Sequence, residues 1–92
     1  MNFFRRRAGA IAPPTLRLLS RPGCHLCDEM KDRLEPIVRE AGVTLAIVNV
    51  DSDTALRERW GDEIPVLLDE EGRLVAKGRD PEAKIRRRLL SR

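Results

Sequence analysis

The sequence predicts an α/β fold with the element order β-α-β-α-β-β-α, in which a four-stranded mixed sheet carries helices on both faces. Two observations indicate this class. Short apolar runs of strand length alternate with segments in which apolar residues recur at helical spacing. The last two apolar runs are separated only by a tight turn, which is typical of an antiparallel pair.

The first strand and the first helix are joined by a turn that holds both cysteines of the chain. The apolar run from Thr15 to Ser20 predicts a buried strand. Apolar residues then recur at helical spacing from Cys24 to Glu40, and Gly42 supplies a stop signal. The sequence therefore predicts that the cysteines lie where a strand ends and a helix begins.

The second strand is predicted at the centre of the sheet. Val43 to Val50 is almost continuously apolar, which suits a parallel strand that is covered on both faces. Together with the first strand and helix it forms a right-handed crossover unit.

The remaining elements are shorter. Thr54 to Trp60 predicts a helix, and Pro65 opens a third strand. The turn at residues 69–72 ends in glycine and leads into an antiparallel fourth strand over Arg73 to Lys77. The run Asp80-Pro81-Glu82 is typical of a helix start, with Asp80 at the capping position.

Length and charge favour one small domain over residues 15–92, preceded by a flexible basic extension over residues 1–14. The net charge is +3, and arginines cluster in the extension and in the last helix. The chain has only two Phe, one Trp and no Tyr to interleave with them. We interpret the arginine runs as solvated termini and expect no nucleic-acid partner.

The N-terminus begins like a signal peptide, but its apolar part is short and ends at Pro13-Pro14. No apolar run approaches the ~20 residues that span a bilayer. A C-x-x-C pair also differs from the disulfide framework of a small secreted domain. We therefore expect a cytoplasmic protein that has no membrane association.

The C-x-x-C pair is the strongest candidate site. Unpaired N–H groups and the helix dipole at the start of a helix stabilise a thiolate, which makes Cys24 a candidate nucleophile. A structural pair of thiols is the alternative. His25 either stabilises the thiolate when protonated or is a spacer that faces solvent. No metal site is expected, because structural zinc takes ~4 ligands and the chain offers two cysteines and one histidine.

Three segments together resemble the thioredoxin superfamily, and in this short form the small bacterial glutaredoxin-like proteins. They are the strand-to-helix turn at residues 20–27, Glu63-Ile64-Pro65, and Gly78-Arg79-Asp80. The resemblance covers Thr15 to Leu90.

The resemblance implies a thiol–disulfide oxidoreductase that acts in electron transport and cell redox homeostasis. It implies that Cys24 attacks a substrate disulfide and that Cys27 resolves the mixed disulfide. It also implies a cis peptide bond between Ile64 and Pro65 that faces the dithiol.

The resemblance further implies a glutathione site. Its residues would be the backbone of Ile64 beside Pro65, the basic Arg21, and Gly78 and Asp80 at the start of the last helix. No cofactor is required, and the reductant is either glutathione or another thiol.

Disulfide-containing proteins and glutathione mixed disulfides are the expected substrates, and a monomer is the expected state. A non-enzymatic adaptor of this fold, or a glutathione-dependent iron–sulfur cluster carrier, is the alternative function.

Overall fold

The computed structural model describes residues 13–90 and confirms the predicted α/β order and mixed sheet. Residues 1–12 of the predicted basic extension lie outside the described part. The elements are β1 (Thr15–Ser20), α1 (His25–Ala41), β2 (Thr44–Asn49), a 3₁₀ turn (Val50–Ser52), α2 (Thr54–Trp60), β3 (Val66–Leu68), β4 (Leu74–Lys77) and α3 (Glu82–Leu90). Within residues 13–90, no helix is long and apolar enough to cross a bilayer.

The sheet has the strand order β2-β1-β3-β4. Strand β1 runs parallel to β2, with Thr15 opposite Thr44, and antiparallel to β3, with Leu19 opposite Val66. Strand β4 is antiparallel to β3, and the register shifts at Leu67/Leu68. The two central strands are therefore β1 and β3.

The prediction that the second strand is central and covered on both faces is wrong. Strand β2 lies at an edge of the sheet, and none of its residues is fully buried, with Ile47 48% exposed. A continuous apolar run does not distinguish a central strand from an edge strand, because both bury side chains against neighbouring helices. The position of β2 is decided by β3, which takes the other side of β1.

Two apolar clusters cover the two faces of the sheet. The larger one joins β1 to α1 and α3 through side chains such as Leu16, Leu34 and Ile85. The smaller one lies on the opposite face, where Leu19 and Trp60 pack together. Helices on both faces are thus confirmed, and α1 is fixed against the sheet along its buried side.

Helix α1 ends at the predicted glycine. Gly42 has φ +70°, a left-handed conformation. Glycine adopts it at little cost because it has no side chain. Its N–H group donates to the carbonyl oxygens of Val38 and Arg39, which satisfies the end of the helix. Val43 then donates to Val38 O at 3.1 Å and leads directly into β2.

Candidate active site

The loop between β1 and α1 places Cys24 at the N-cap position of α1. The backbone N–H of Cys24 donates to Arg21 O at 3.0 Å, and Gly23 turns the chain with φ +82°. The Cys24 sulfur accepts a hydrogen bond from the backbone N–H of Cys27 at 3.2 Å. A thiolate at Cys24 would therefore receive a backbone hydrogen bond and the favourable end of the helix dipole.

The two cysteines differ in their access to solvent. They are joined by a disulfide, with their Cα atoms 5.2 Å apart. Cys27 lies in the first turn of α1 and is only 2% exposed, whereas Cys24 is partly exposed. A bulky disulfide from solvent can therefore reach the sulfur of Cys24 far more readily than that of Cys27.

His25 lies on the solvent side of the same turn. Its side chain is 86% exposed, and its Nε2 atom lies 3.2 Å from a carboxylate oxygen of Glu29. This partner, one helical turn further along, was not predicted from the sequence. A role of His25 at the thiolate stays a prediction.

The segment before β3 meets the dithiol loop at one end of the sheet. The peptide bond between Ile64 and Pro65 is cis, as the resemblance implied. Because Leu19 pairs with Val66, Pro65 lies at the end of β1 from which the loop to Cys24 departs. Pro65 O also accepts from the N–H of Gly78 at 2.9 Å, which brings the loop after β4 to the same place.

Arg21 was predicted to contact glutathione, and the structure gives its guanidinium a partner within the chain. Nε and Nη2 donate to the two carboxylate oxygens of Asp51 at 2.7 and 2.9 Å. This hydrogen bonding lowers the pKa of Asp51 and raises the pKa of Arg21. The pair ties the dithiol loop to the turn after β2, so the charge of Arg21 is already matched.

Asp80 stabilises the loop between β4 and α3. Its carboxylate accepts from the backbone N–H of Lys77 at 3.0 Å and lies 3.4 Å from Lys84 Nζ. The hydrogen bond from Lys77 is the main reason that the pKa of Asp80 is lowered. The predicted capping role of Asp80 is therefore wrong, because its side chain turns back to β4. The N–H groups of Lys84 and Ile85 at the start of α3 donate to Pro81 O instead.

Glu63, the residue just before Ile64, forms ion pairs with two cations. The carboxylate of Glu63 lies 2.5 Å from Lys77 Nζ and 3.7 Å from the guanidinium of Arg59. The hydrogen bond from Lys77 is the main reason that the pKa of Glu63 is lowered. This side chain stays ionised at neutral pH, but two cations offset its charge.

A cleft of about 240 Å³ lies between the first turns of α1 and the loop after β4. Its lining residues are Leu26, Glu29, Arg33, Gly78 and Arg79. Arg33 donates to the carbonyl oxygen of Asp80 at 3.0 Å, which fixes one wall. Arg79 is exposed and has no ion-pair partner within residues 13–90.

Of these five lining residues, only Gly78 was predicted from the sequence. Leu26, Glu29 and Arg33 recur at i, i+3 and i+7, so they share one face of α1. That spacing is the signal that could have found them. Among the described residues, no group of three or more His, Cys, Asp or Glu side chains could hold a metal ion.

A four-stranded mixed sheet, a C-x-x-C pair at the start of the first helix and a cis-proline at the same end of the sheet define a thioredoxin-like dithiol protein. The model of the Glutaredoxin-like domain (DUF836) matches residues 15–90. The chain belongs to this family.

Solved structures agree with this assignment. Protein XcR50 from X. campestris has a TM-score of 0.68 and 31% identity, covering 84% of this chain and 97% of that one. Protein Ne2328 from Nitrosomonas europaea has a TM-score of 0.65 and 27% identity, covering 78% and 86%.

Two curated relatives are themselves uncharacterised. They are protein Mb0520 of Mycobacterium bovis and protein Rv0508 of Mycobacterium tuberculosis. Each is 32% identical to this chain over 60 residues, which are 60% of this chain and 62% of the relative. The chain thus spans less than two thirds of the length of these relatives.

Proposed function

We propose that this protein is a thiol–disulfide oxidoreductase in which Cys24 is the nucleophile and Cys27 the resolving cysteine. The observation that carries the proposal is the asymmetry of the pair. Cys24 caps α1, accepts the N–H of Cys27 and is partly exposed, whereas Cys27 is 2% exposed. An exposed, stabilised thiolate above a buried partner suits a two-step exchange.

The reaction begins with the reduced dithiol. The Cys24 thiolate attacks one sulfur of a substrate disulfide, forms a mixed disulfide and releases the other sulfur as a thiolate. Cys27 then loses its proton and attacks the Cys24 sulfur, which releases the second substrate sulfur. The substrate gains two electrons and the protein becomes the Cys24–Cys27 disulfide, the bond found in this structure.

We further propose that glutathione serves as reductant and that its mixed disulfides are among the substrates, with no other cofactor needed. One glutathione thiolate opens the Cys24–Cys27 disulfide and a second releases the first as glutathione disulfide. The cleft beside α1 supports this, because Arg79 places an exposed cation there. The neighbouring Gly78 donates its backbone N–H to Pro65 O, which connects the cleft to the cis-proline. Glutathione carries carboxylates that Arg79 would attract.

The proposal predicts one fast-reacting cysteine. In the reduced protein, alkylation of Cys24 by iodoacetamide should have a pH midpoint below ~8.5, the value for free cysteine. Cys27 should react at least ~10-fold more slowly, because it is buried. Peptide mapping by mass spectrometry over a pH series measures both. Equal rates at the two cysteines, or a midpoint at or above that of free cysteine, would contradict the assignment.

The attraction between Arg79 and the carboxylates of glutathione can be tested separately. Arg79→Glu should raise KM for a glutathione mixed disulfide by about 3- to 10-fold, or roughly 0.7–1.4 kcal/mol, because it reverses an unpaired charge beside the site. The rate at which the reduced protein reacts with an uncharged disulfide such as bis(2-hydroxyethyl) disulfide, measured in the absence of glutathione, should stay the same.

Arg87→Glu is the matched control, since Arg87 is an exposed arginine of α3 that does not line the cleft. The same loss in both variants, or a loss with both substrates, would show that the cleft does not select an anion.

A further inference from the structure

The free edge of β2 differs from the other edge of the sheet. Strand β2 reads Thr-Leu-Ala-Ile-Val-Asn, with no charge, proline or glycine. Such an edge lacks the features that normally prevent a sheet from pairing with another chain. Ile47, 48% exposed, lies within it.

The β4 edge has several of those features. Strand β4 is four residues long, ends at Lys77 and follows a register shift in β3. Arg88 Nη1 also donates to the carbonyl oxygens of Leu74 and Val75, both at 3.3 Å. Short length, a bulge and a covering cation all discourage pairing at this edge.

The hydrogen-bonding groups of β2 that point outward can be identified. Thr44 N–H donates to Pro14 O at 2.9 Å, so Thr44 and the residues in phase with it face β1. The backbone N–H and C=O groups of Leu45 and Ile47 consequently face the open edge. Within residues 13–90, no strand lies on that side of β2.

A groove of about 420 Å³ runs along this edge between α1 and β2. Its apolar part consists of Val38, Val43, Leu45 and Ile47, and its rim of Lys31, Glu35 and Arg39. Within residues 13–90, none of the three rim side chains has an ion-pair partner. A rim that carries both signs is compatible with a second copy of itself, whereas a rim of one sign would repel it.

We propose that the β2 edge is the interface of a two-fold homodimer, in which two β2 strands pair antiparallel and the two sheets become one. Pairing through the outward-facing groups places Leu45 opposite Ile47 of the second copy, and Ile47 opposite Leu45. Ala46 then lies on the two-fold axis, opposite Ala46 of the second copy. This register buries the exposed Ile47 and uses the free backbone groups of both copies.

The dimer replaces the monomer that the sequence analysis expected. It leaves the dithiol accessible, because Cys24 lies beyond the end of β1 and not at the β2 edge. The inference is therefore independent of the proposed function.

Sedimentation velocity of the full chain, from micromolar to millimolar concentration, tests the proposal. The wild type should pass from monomer to dimer in this range. Ile47→Lys should raise the dimer Kd by about tenfold or more, because it places a charged side chain opposite Leu45 of the second copy.

Leu74→Lys is the matched control, since Leu74 is a 38% exposed leucine of the opposite edge, and it should leave Kd unchanged. A wild type that stays monomeric at millimolar concentration, or equal effects of the two lysines, would overturn the proposal.

A crosslink tests the register. In a Cys24→Ser, Cys27→Ser background, Ala46→Cys should oxidise to a disulfide-linked dimer, because opposed residues of a non-hydrogen-bonded pair have Cα atoms about 4.5 Å apart. Thr44→Cys should not, since its two copies would be offset by about 13 Å along the strands. Equal crosslinking of the two variants would overturn the register.

The segment before Pro13 is the other part of the protein that the β2 edge could bind. A chain that lacks residues 1–12 should dimerise with the same Kd as the full chain. If the full chain is monomeric and only the shortened chain dimerises, the N-terminal segment covers the β2 edge, and the dimer proposal is wrong.

Discussion

Replacing Cys24 with serine is expected to reduce disulfide exchange to the background rate, whereas replacing Cys27 with serine should trap substrate on Cys24. Serine at position 24 leaves no exposed thiolate to attack. Serine at position 27 still permits the first attack, but nothing within the protein then releases the mixed disulfide. The two variants thus stop the reaction before and after the first step.

Intact-mass measurement after incubation with glutathione disulfide distinguishes these outcomes. The Cys27→Ser protein should gain the mass of one glutathione, while the Cys24→Ser protein stays almost unmodified because Cys27 is 2% exposed. Far-ultraviolet circular dichroism is the control for folding. The reverse pattern would exchange the two roles. Full exchange activity of both variants would mean that neither cysteine carries the reaction, whereas a wild-type protein without exchange activity would favour an adaptor in which the cysteines are incidental.

The second large effect is expected from the core beneath the site. Leu34→Ala should lower the free energy of unfolding by roughly 2–5 kcal/mol, because a fully buried leucine would leave a cavity. Leu34 is 0% exposed and joins α1 to the cluster that includes β1 and α3. A domain of this size is typically stable by only about 5–10 kcal/mol, so a large part of its stability would be lost.

Urea denaturation monitored by circular dichroism measures this loss. Leu90→Ala is the matched control, since Leu90 is 51% exposed at the end of α3, and its change should stay within about 0.5 kcal/mol. A similar change in both variants would mean that Leu34 does not fix α1 as the structure indicates. Activity per folded molecule should be unaffected, since Leu34 lies seven residues, about two helical turns, beyond Cys27 in α1.

The order of the elements and the place of the dithiol were predictable because they depend on neighbours in the chain. The apolar spacing of α1, its end at Gly42 and the cysteines at its start are all local patterns. The resemblance added the cis bond before Pro65, which no local pattern would have shown.

Other features depend on residues that are distant in sequence. The carboxylate of Asp51 that holds Arg21 is 30 positions away, and the carbonyl of Asp80 that fixes Arg33 is 47 positions away. Only the folded chain shows which of many acceptors each arginine reaches. The same holds for Asp80, whose carboxylate had a plausible local role as a cap but bonds the backbone of Lys77 instead.

By itself, therefore, the sequence determined a strand, a cysteine-bearing turn and a helix in that order, since hydrogen bonding within a helix and apolar periodicity act over a few residues. The tertiary structure alone decided that β2 lies at an edge, that Arg79 borders a cleft beside the first turns of α1, and that Arg21 pairs with Asp51. These features follow from how strands pair and where loops converge, and such contacts join residues whose spacing along the chain carries no periodic signal.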